Sequence, residues 1–215
     1  MTTLPLLLLI FLRSGSRIQP LDRSLLASLA DVVDEATRAY EGYDPARALE
    51  RTEAFFWTFC DDYIELVKGR AYGDGSGADS ARRALRTALD ALLRLFAPVL
   101  PFTAEEVWSW WRDGSVHRQP WPDAAALRPA GVDETEADVL RRAAEVLGEV
   151  RKAKSTAKTS QRTPVVRLVL PGDPELHAPY LDDLRNAAVV EGEVEYAADG
   201  EVQVELGEAP AKGTR

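Results

Sequence analysis

Apolar side chains recur every three or four positions along most of this chain, and the period shortens only near its end. From Pro20 to about Glu41, Leu25, Leu26, Leu29, Val32 and Val33 share one face, the spacing of an amphipathic helix. Gly42-Tyr43 breaks the pattern. Asp44-Pro45 then offers an N-cap and a first-turn proline. The helix that follows is strongly aromatic between Glu50 and Tyr72. Phe55, Phe59, Tyr63 and Leu66 form one stripe, with Phe56, Cys60, Ile64 and Val67 beside it. A face that wide predicts the centre of a bundle. Gly69 and Gly73-Asp-Gly-Ser-Gly77 are expected to end it. Ala81 to Ala97 is a third helix, with Leu85, Leu89, Leu92, Leu93 and Phe96 inward, punctuated by Pro98 and Pro101. Thr103-Ala-Glu-Glu106 reads as a capping box for a short fourth helix running through Trp108 to Trp111.

Ser115-Val-His-Arg-Gln-Pro-Trp-Pro122 closes this unit, and Asp133 starts a long helix with Val139, Leu140, Ala143, Val146, Leu147 and Val150 on its apolar face. Val165 to Leu170 then reads as a strand, and Asp173-Pro174 as the start of a helix to about Asn186. Ala188 to Tyr196 and Glu201 to Leu206 are expected to pair as a hairpin across Ala197 to Gly200. The predicted fold class is therefore mainly α: an antiparallel helical bundle, a long helix and a small α+β module. The expected organisation is a leader over 1–19, the bundle over 20–126, a connecting basic helix over 127–162, the module over 163–207 and a disordered tail over 208–215.

The leader does not match the rest. Leu4 to Leu12 is nearly all leucine, but the roughly 20 residues needed to span a bilayer are not there. No basic residue precedes it and no small-x-small cleavage site follows. It reads as a spurious, truncated or tag-like segment, and the chain as cytoplasmic rather than membrane-bound.

Charge narrows the chemistry. A net charge of -9 over 215 residues argues against a generally DNA-coating surface. The single cysteine, Cys60, excludes an intramolecular disulfide and reads as a small hydrophobe on an apolar face. With only His117 and His177 to join it, no zinc site can be built. Asp61-Asp62 and Glu105-Glu106 are neighbours on helices, so they diverge and cannot clasp a metal. His117 lies in a Pro- and Trp-containing loop and is expected to activate no nucleophile, and His177 is expected on an exposed helical surface. Gly73 to Gly77 neither follows a strand nor precedes Lys-Ser/Thr, which excludes a phosphate loop. No catalytic set emerges.

One run stands out. Between Arg151 and Pro171 there is no acidic residue, while Arg151, Lys152, Lys154, Lys158, Arg162 and Arg167 are cationic. At helical spacing, Arg151, Lys154, Lys158 and Arg162 would share one stripe if the helix runs that far. Ser155, Thr156, Thr159 and Ser160 add hydroxyls. Exposed helices usually mix signs, so the run points to a polyanion, with RNA first among them.

The residue order adds a resemblance. Phe56-Trp-Thr-Phe-Cys-Asp-Asp-Tyr-Ile-Glu-Leu-Val-Lys68 resembles the anticodon-binding helical domain of bacterial valyl-tRNA synthetases. Leu92-Leu-Arg-Leu-Phe-Ala-Pro-Val-Leu-Pro-Phe-Thr-Ala-Glu-Glu-Val-Trp108 continues it, as do the Ser115 to Pro122 loop and Val146 to Ser155. The similarity covers residues 20 to 206. His-x-Gly-His is missing, and Lys152-Ala-Lys-Ser155 is only a superficial echo of the family's Lys-Met-Ser-Lys-Ser loop. Ser24 stands where the family often has an aromatic, which puts base stacking there in doubt.

What the resemblance implies is a protein that holds the anticodon stem-loop of tRNA, tRNA-Val in particular, as a monomer and without DNA. The catalytic and editing domains are expected to be missing, so the chain alone would bind no cofactor and be inactive, ATP belonging only to a full-length parent. Most of Phe55, Phe56, Trp57, Phe59 and Tyr63 is expected in the core, where each buried ring is worth about 4 to 6 kcal/mol. The RNA contacts then fall to the charged rim: Arg23, Lys68 and Arg70 on the bundle, and Arg151, Lys152, Lys154, Lys158 and Arg162 on the basic helix, with phosphate contacts positioning the stem. The α+β module is expected to contact the stem. Two alternatives are a free-standing tRNA-binding or synthetase-associated paralogue, and a degenerate bundle whose partner is protein.

Overall fold

The computed structural model describes residues 18–209. The leucine-rich stretch and the last residues of the tail lie outside them. Helix α1 (Pro20–Glu41) starts on a first-turn proline and stops at Gly42. Asp44 accepts a hydrogen bond from the Arg47 amide (3.1 Å) and opens α2 (Pro45–Trp57). The aromatic helix continues unbroken through a π-helical segment, Thr58–Tyr63, into α3 (Ile64–Tyr72). Gly69 lies inside α3 rather than ending it, facing the Asn186 side chain. Phe55, Phe59, Tyr63 and Leu66 are buried as expected. Phe56 and Cys60 are half-buried against the core, while Trp57 is 53% exposed.

Helix α4 (Ser76–Phe96) closes the three-helix stack against α1, α2 and α3. Its deepest positions are small: Ala81, Ala84, Ala88 and Ala91 are fully buried, whereas Leu85, Leu89 and Phe96 are half-buried at the flanks. Alanine at the contact lets the backbones approach closely. Helix α5 (Pro101–Ser109) folds back onto α4. The expected capping box does not form, because the helix begins two residues earlier, at Pro101, with no side-chain cap. Glu105 instead turns away, accepting hydrogen bonds from Ser115 Oγ and the Val116 amide, both 2.9 Å. That fixes the 3-10 turn Val116–Arg118.

The chain then returns along α1. Trp121 Nε1 donates to Thr37 Oγ1 (2.8 Å), and its ring meets Tyr40 edge-on. The one-turn helices α6 (Ala124–Leu127) and α7 (Glu134–Ala137) also line α1. The long helix expected from Asp133 is split at Asp138: Asp133 caps α7, and α8 runs from Val139 to Thr156. Ser24 bridges the split, donating to the Ala137 carbonyl (2.6 Å) and accepting from the Leu140 amide (3.0 Å).

The last unit differs most from expectation. Strand β1 (Val165–Pro171) lies between β2 (Val190–Ala197) and β3 (Gln203–Leu206), parallel to the first and antiparallel to the second. The predicted β2–β3 hairpin is therefore wrong. Val165, Leu168, Val169 and Leu170 are all buried, so β1 takes the centre, while β2 and β3 carry exposed glutamates and suit the edges. The crossover is two helices rather than one, α9 (Pro174–His177) and α10 (Leu181–Ala188). Pro179 has no amide to continue the first. The larger cluster of buried side chains runs from α1 through α8 into β1 and α10, and a smaller one of Leu93, Ala97, Ala104, Trp108 and Val116 joins α4 to α5.

Candidate nucleic-acid interface

The eight cations expected to meet RNA have very different surroundings. Arg70 lies in a buried cluster. Its guanidinium donates to both oxygens of Asp22 (2.8 Å each) and of Asp183 (2.8 to 3.1 Å), and to the Gly77 carbonyl (2.9 Å). Tyr63 Oη adds a 2.7 Å bond to Asp22, which Ser80 also reaches. The two carboxylates hold Arg70 charged against its burial. Burial raises the Asp183 carboxyl, and Arg70 offsets part of that rise. This cluster joins α1, α3, the start of α4 and α10.

Lys154 is buried at 1% exposure. Its ammonium donates to the carbonyls of Ala188 (2.7 Å) and Gln161 (3.0 Å). Ala188 ends α10, where unpaired carbonyls attract a cation, so Lys154 caps that helix. Desolvation lowers its pKa. Arg151 donates to Asp62 (3.0 Å) and to the Asp61 carbonyl (2.6 Å), tying α8 to the π segment. Arg23 is bound to Glu136 (2.6 and 3.0 Å) and to the Ala130 carbonyl (3.0 Å).

The other four face solvent. Lys68 and Lys152 make only short-range pairs, with Glu65 and Glu149 on the preceding turn. Lys158 and Arg162 are exposed, and among the described residues neither has an acidic partner. The expected common stripe does not exist. α8 ends at Thr156, and Lys158 adopts a left-handed φ of 53° that turns the chain. Lys152, Lys158 and Arg162 thus lie on a helix end and the loop after it. The Lys154 position, central to the stripe, points inward.

Other expectations shift as well. His177 is buried, not exposed: its ring bonds the Tyr180 hydroxyl (2.6 Å) and the Pro171 carbonyl (2.8 Å). Burial and the neighbouring Asp61 raise the Cys60 thiol, which disfavours the thiolate. Among the described residues no group of three metal-ligating side chains occurs, and no helix is long and apolar enough to cross a membrane.

Reading the chain for its core missed the aromatics that face water. Tyr43 is 94% exposed at the α1–α2 turn and sits at φ 59°, a strained setting for a bulky residue. Phe102 (89%) in the first turn of α5 and Trp110 (70%) just past its last residue are exposed, as are Val99 and Leu100 before it. Pro98 and Pro101, which punctuate this corner, were the only sequence signal that it leaves the core.

Residues 22–170, from α1 to the end of β1, match the family described as the anticodon-binding domain of tRNA ligase. A valine-tRNA ligase of Leifsonia xyli subsp. xyli is 56% identical over 172 residues, covering 78% of this chain and 20% of that protein. One of Thermobifida fusca is 52% identical over 198 residues, 90% of this chain and 22% of that protein. One of Cutibacterium acnes is 44% identical over 203 residues, 90% and 23%. The chain thus spans between 20% and 23% of the length of these three curated relatives. On the match that runs through the whole bundle and α8, the chain belongs to the anticodon-binding domain family of tRNA ligases, in the form similar to that region of bacterial valine-tRNA ligases.

Proposed function

We propose that this chain holds the anticodon arm of tRNA, with tRNA-Val as the cognate RNA, as the RNA-binding portion of a valine-tRNA ligase. Membership of the anticodon-binding family carries this reading. The cations that the fold leaves in water support it: Lys152, Lys158 and Arg162 around the end of α8, and Lys68 on α3. Their contacts are with phosphates, which position the stem without reading sequence. Arg23, Arg70, Arg151 and Lys154 act one step back, spending their donors on holding α7, α10 and α8 in place. Bases of a single-stranded loop are read by stacking on aromatic planes, and Tyr43, Phe102 and Trp110 offer such planes to solvent.

The test is tRNA binding across a range of salt. Lys158→Glu with Arg162→Glu is expected to weaken tRNA-Val binding and to flatten the log-log salt slope by about 1 to 2. Lys154→Met is the contrasting variant. It strips the buried Ala188 carbonyl and the part-buried Gln161 carbonyl of their donor and is expected to cost about 1 to 3 kcal/mol of stability, with the salt slope of the folded fraction unchanged. Equal binding of tRNA-Val and a non-cognate tRNA would remove the valine assignment. No binding of any tRNA would remove the reading altogether and leave a protein partner.

A further inference from the structure

Helix α4 carries a second concentration of positive charge, separate from the α8 segment. Arg83, Arg86 and Arg94 lie along its outer side with Thr87, and Asp90 is the only carboxylate among them. Where α5 ends against this side, Arg86, Thr87, Asp90, Arg94, Trp111 and Arg112 line a cleft of about 500 Å³. Asp90 accepts from Arg94 (2.5 Å) and from Arg112 (2.8 Å). One carboxylate thus orients two guanidinium groups without neutralising the three that line the cleft. Arg86 is exposed and has no acidic partner among the described residues.

Two of the three guanidinium groups are also held by contacts within the protein. Arg112 lies 4.7 Å above the centre of the Trp111 ring and 5.7 Å from that of Trp108, a cation-π stack. Arg94 is further held by the Pro120 carbonyl at 3.2 Å. Trp111 Nε1, a buried donor, has no acceptor within the described residues. Guanidinium groups fixed in this way keep N–H donors in place for a bidentate phosphate contact, with little side-chain entropy left to lose.

We infer that the α4–α5 cleft is a docking site for the sugar-phosphate backbone of RNA, with Arg86 and Arg112 gripping phosphates and Arg94, whose three guanidinium nitrogens all bond within the protein, holding Asp90 in place behind them. This rests on the reading of the chain as a tRNA-binding unit and gives it a surface. The cationic lining complements a phosphodiester strand.

The experiment compares the wild-type chain with Arg86→Glu and with Arg86→Glu/Arg112→Gln, by tRNA binding at several salt concentrations and by phosphate-ethylation interference. The Arg86 side chain makes no hydrogen bond or ion pair among the described residues, so the single variant keeps the test independent of folding. Arg86→Glu is expected to weaken tRNA binding about tenfold near 0.1 M salt and to reduce the salt slope by about 1. A patch of ethylated phosphates that blocks wild-type binding is expected to lose its effect in the double variant. Unchanged affinity, slope and interference pattern in both variants would rule out the cleft while leaving the tRNA reading intact. A wild-type chain that binds no tRNA would overturn both.

Discussion

Tyr63 shows how far a single residue can be read. Its place in the Phe55, Phe59, Leu66 stripe announced burial, and it is fully buried. A buried phenol needs a hydrogen-bond partner, and that partner, Asp22, lies forty-one positions away. The same carboxylate meets Arg70, which local sequence had assigned to RNA. Burial, then the charge of Asp22, pushes the Tyr63 hydroxyl well above the ordinary tyrosine range. Burial pushes Tyr180 up to about 12. A raised folded pKa favours the protonated form, so both groups stabilise the fold fully below the unfolded value of about 10. That contribution is lost as pH rises through the folded values, at about 12 for Tyr180. Alkaline spectrophotometric titration is therefore expected to show Tyr63 ionising only together with unfolding. Reversible ionisation of all six tyrosines near pH 10, with circular dichroism unchanged, would contradict this placement.

Among the elements, helices were legible and strand order was not. Periodicity located α1, the aromatic helix, α4 and α8, and prolines marked the starts of the first two. The π segment left no trace in the apolar pattern, since Phe59 and Tyr63 remain buried through it. Sheet order escaped because sequence proximity favours a hairpin, whereas burial on both faces of β1 decides for the centre. Gly192 records that outcome. The register slips between Val165 and Arg167, and a side-chain carbon at Gly192 would lie 1.7 Å from the Val166 carbonyl oxygen. Only glycine allows β2 to close on β1 there. Gly192→Ala is expected to cost at least about 1 to 3 kcal/mol, with faster hydrogen exchange at the β1–β2 amides. Protection equal to wild type would show that this bulge is not the one the chain adopts.

At the scale of the whole molecule, the larger core cluster and a buried charge cluster link the bundle to the α+β unit. Arg70 bridges Asp22 on α1 to Asp183 on α10, and removing one partner of such a cluster leaves a buried charge uncompensated. The chain is therefore expected to unfold in one cooperative step. Tryptophan fluorescence and far-UV circular dichroism are expected to give coincident urea transitions. Separate midpoints would mean that bundle and module fold apart.

The sequence by itself determined the class of fold, the main helices and the aromatic order that marks the family, because each rests on interactions within a few turns of one helix. Only the tertiary structure decided which charges face water. Arg70 and Lys154 looked like rim cations until partners distant in sequence drew them inward. The arginines of α4 acquired a cleft only when α5 folded against them. A burial stripe is local, whereas the partner of a charge is a property of the packed chain.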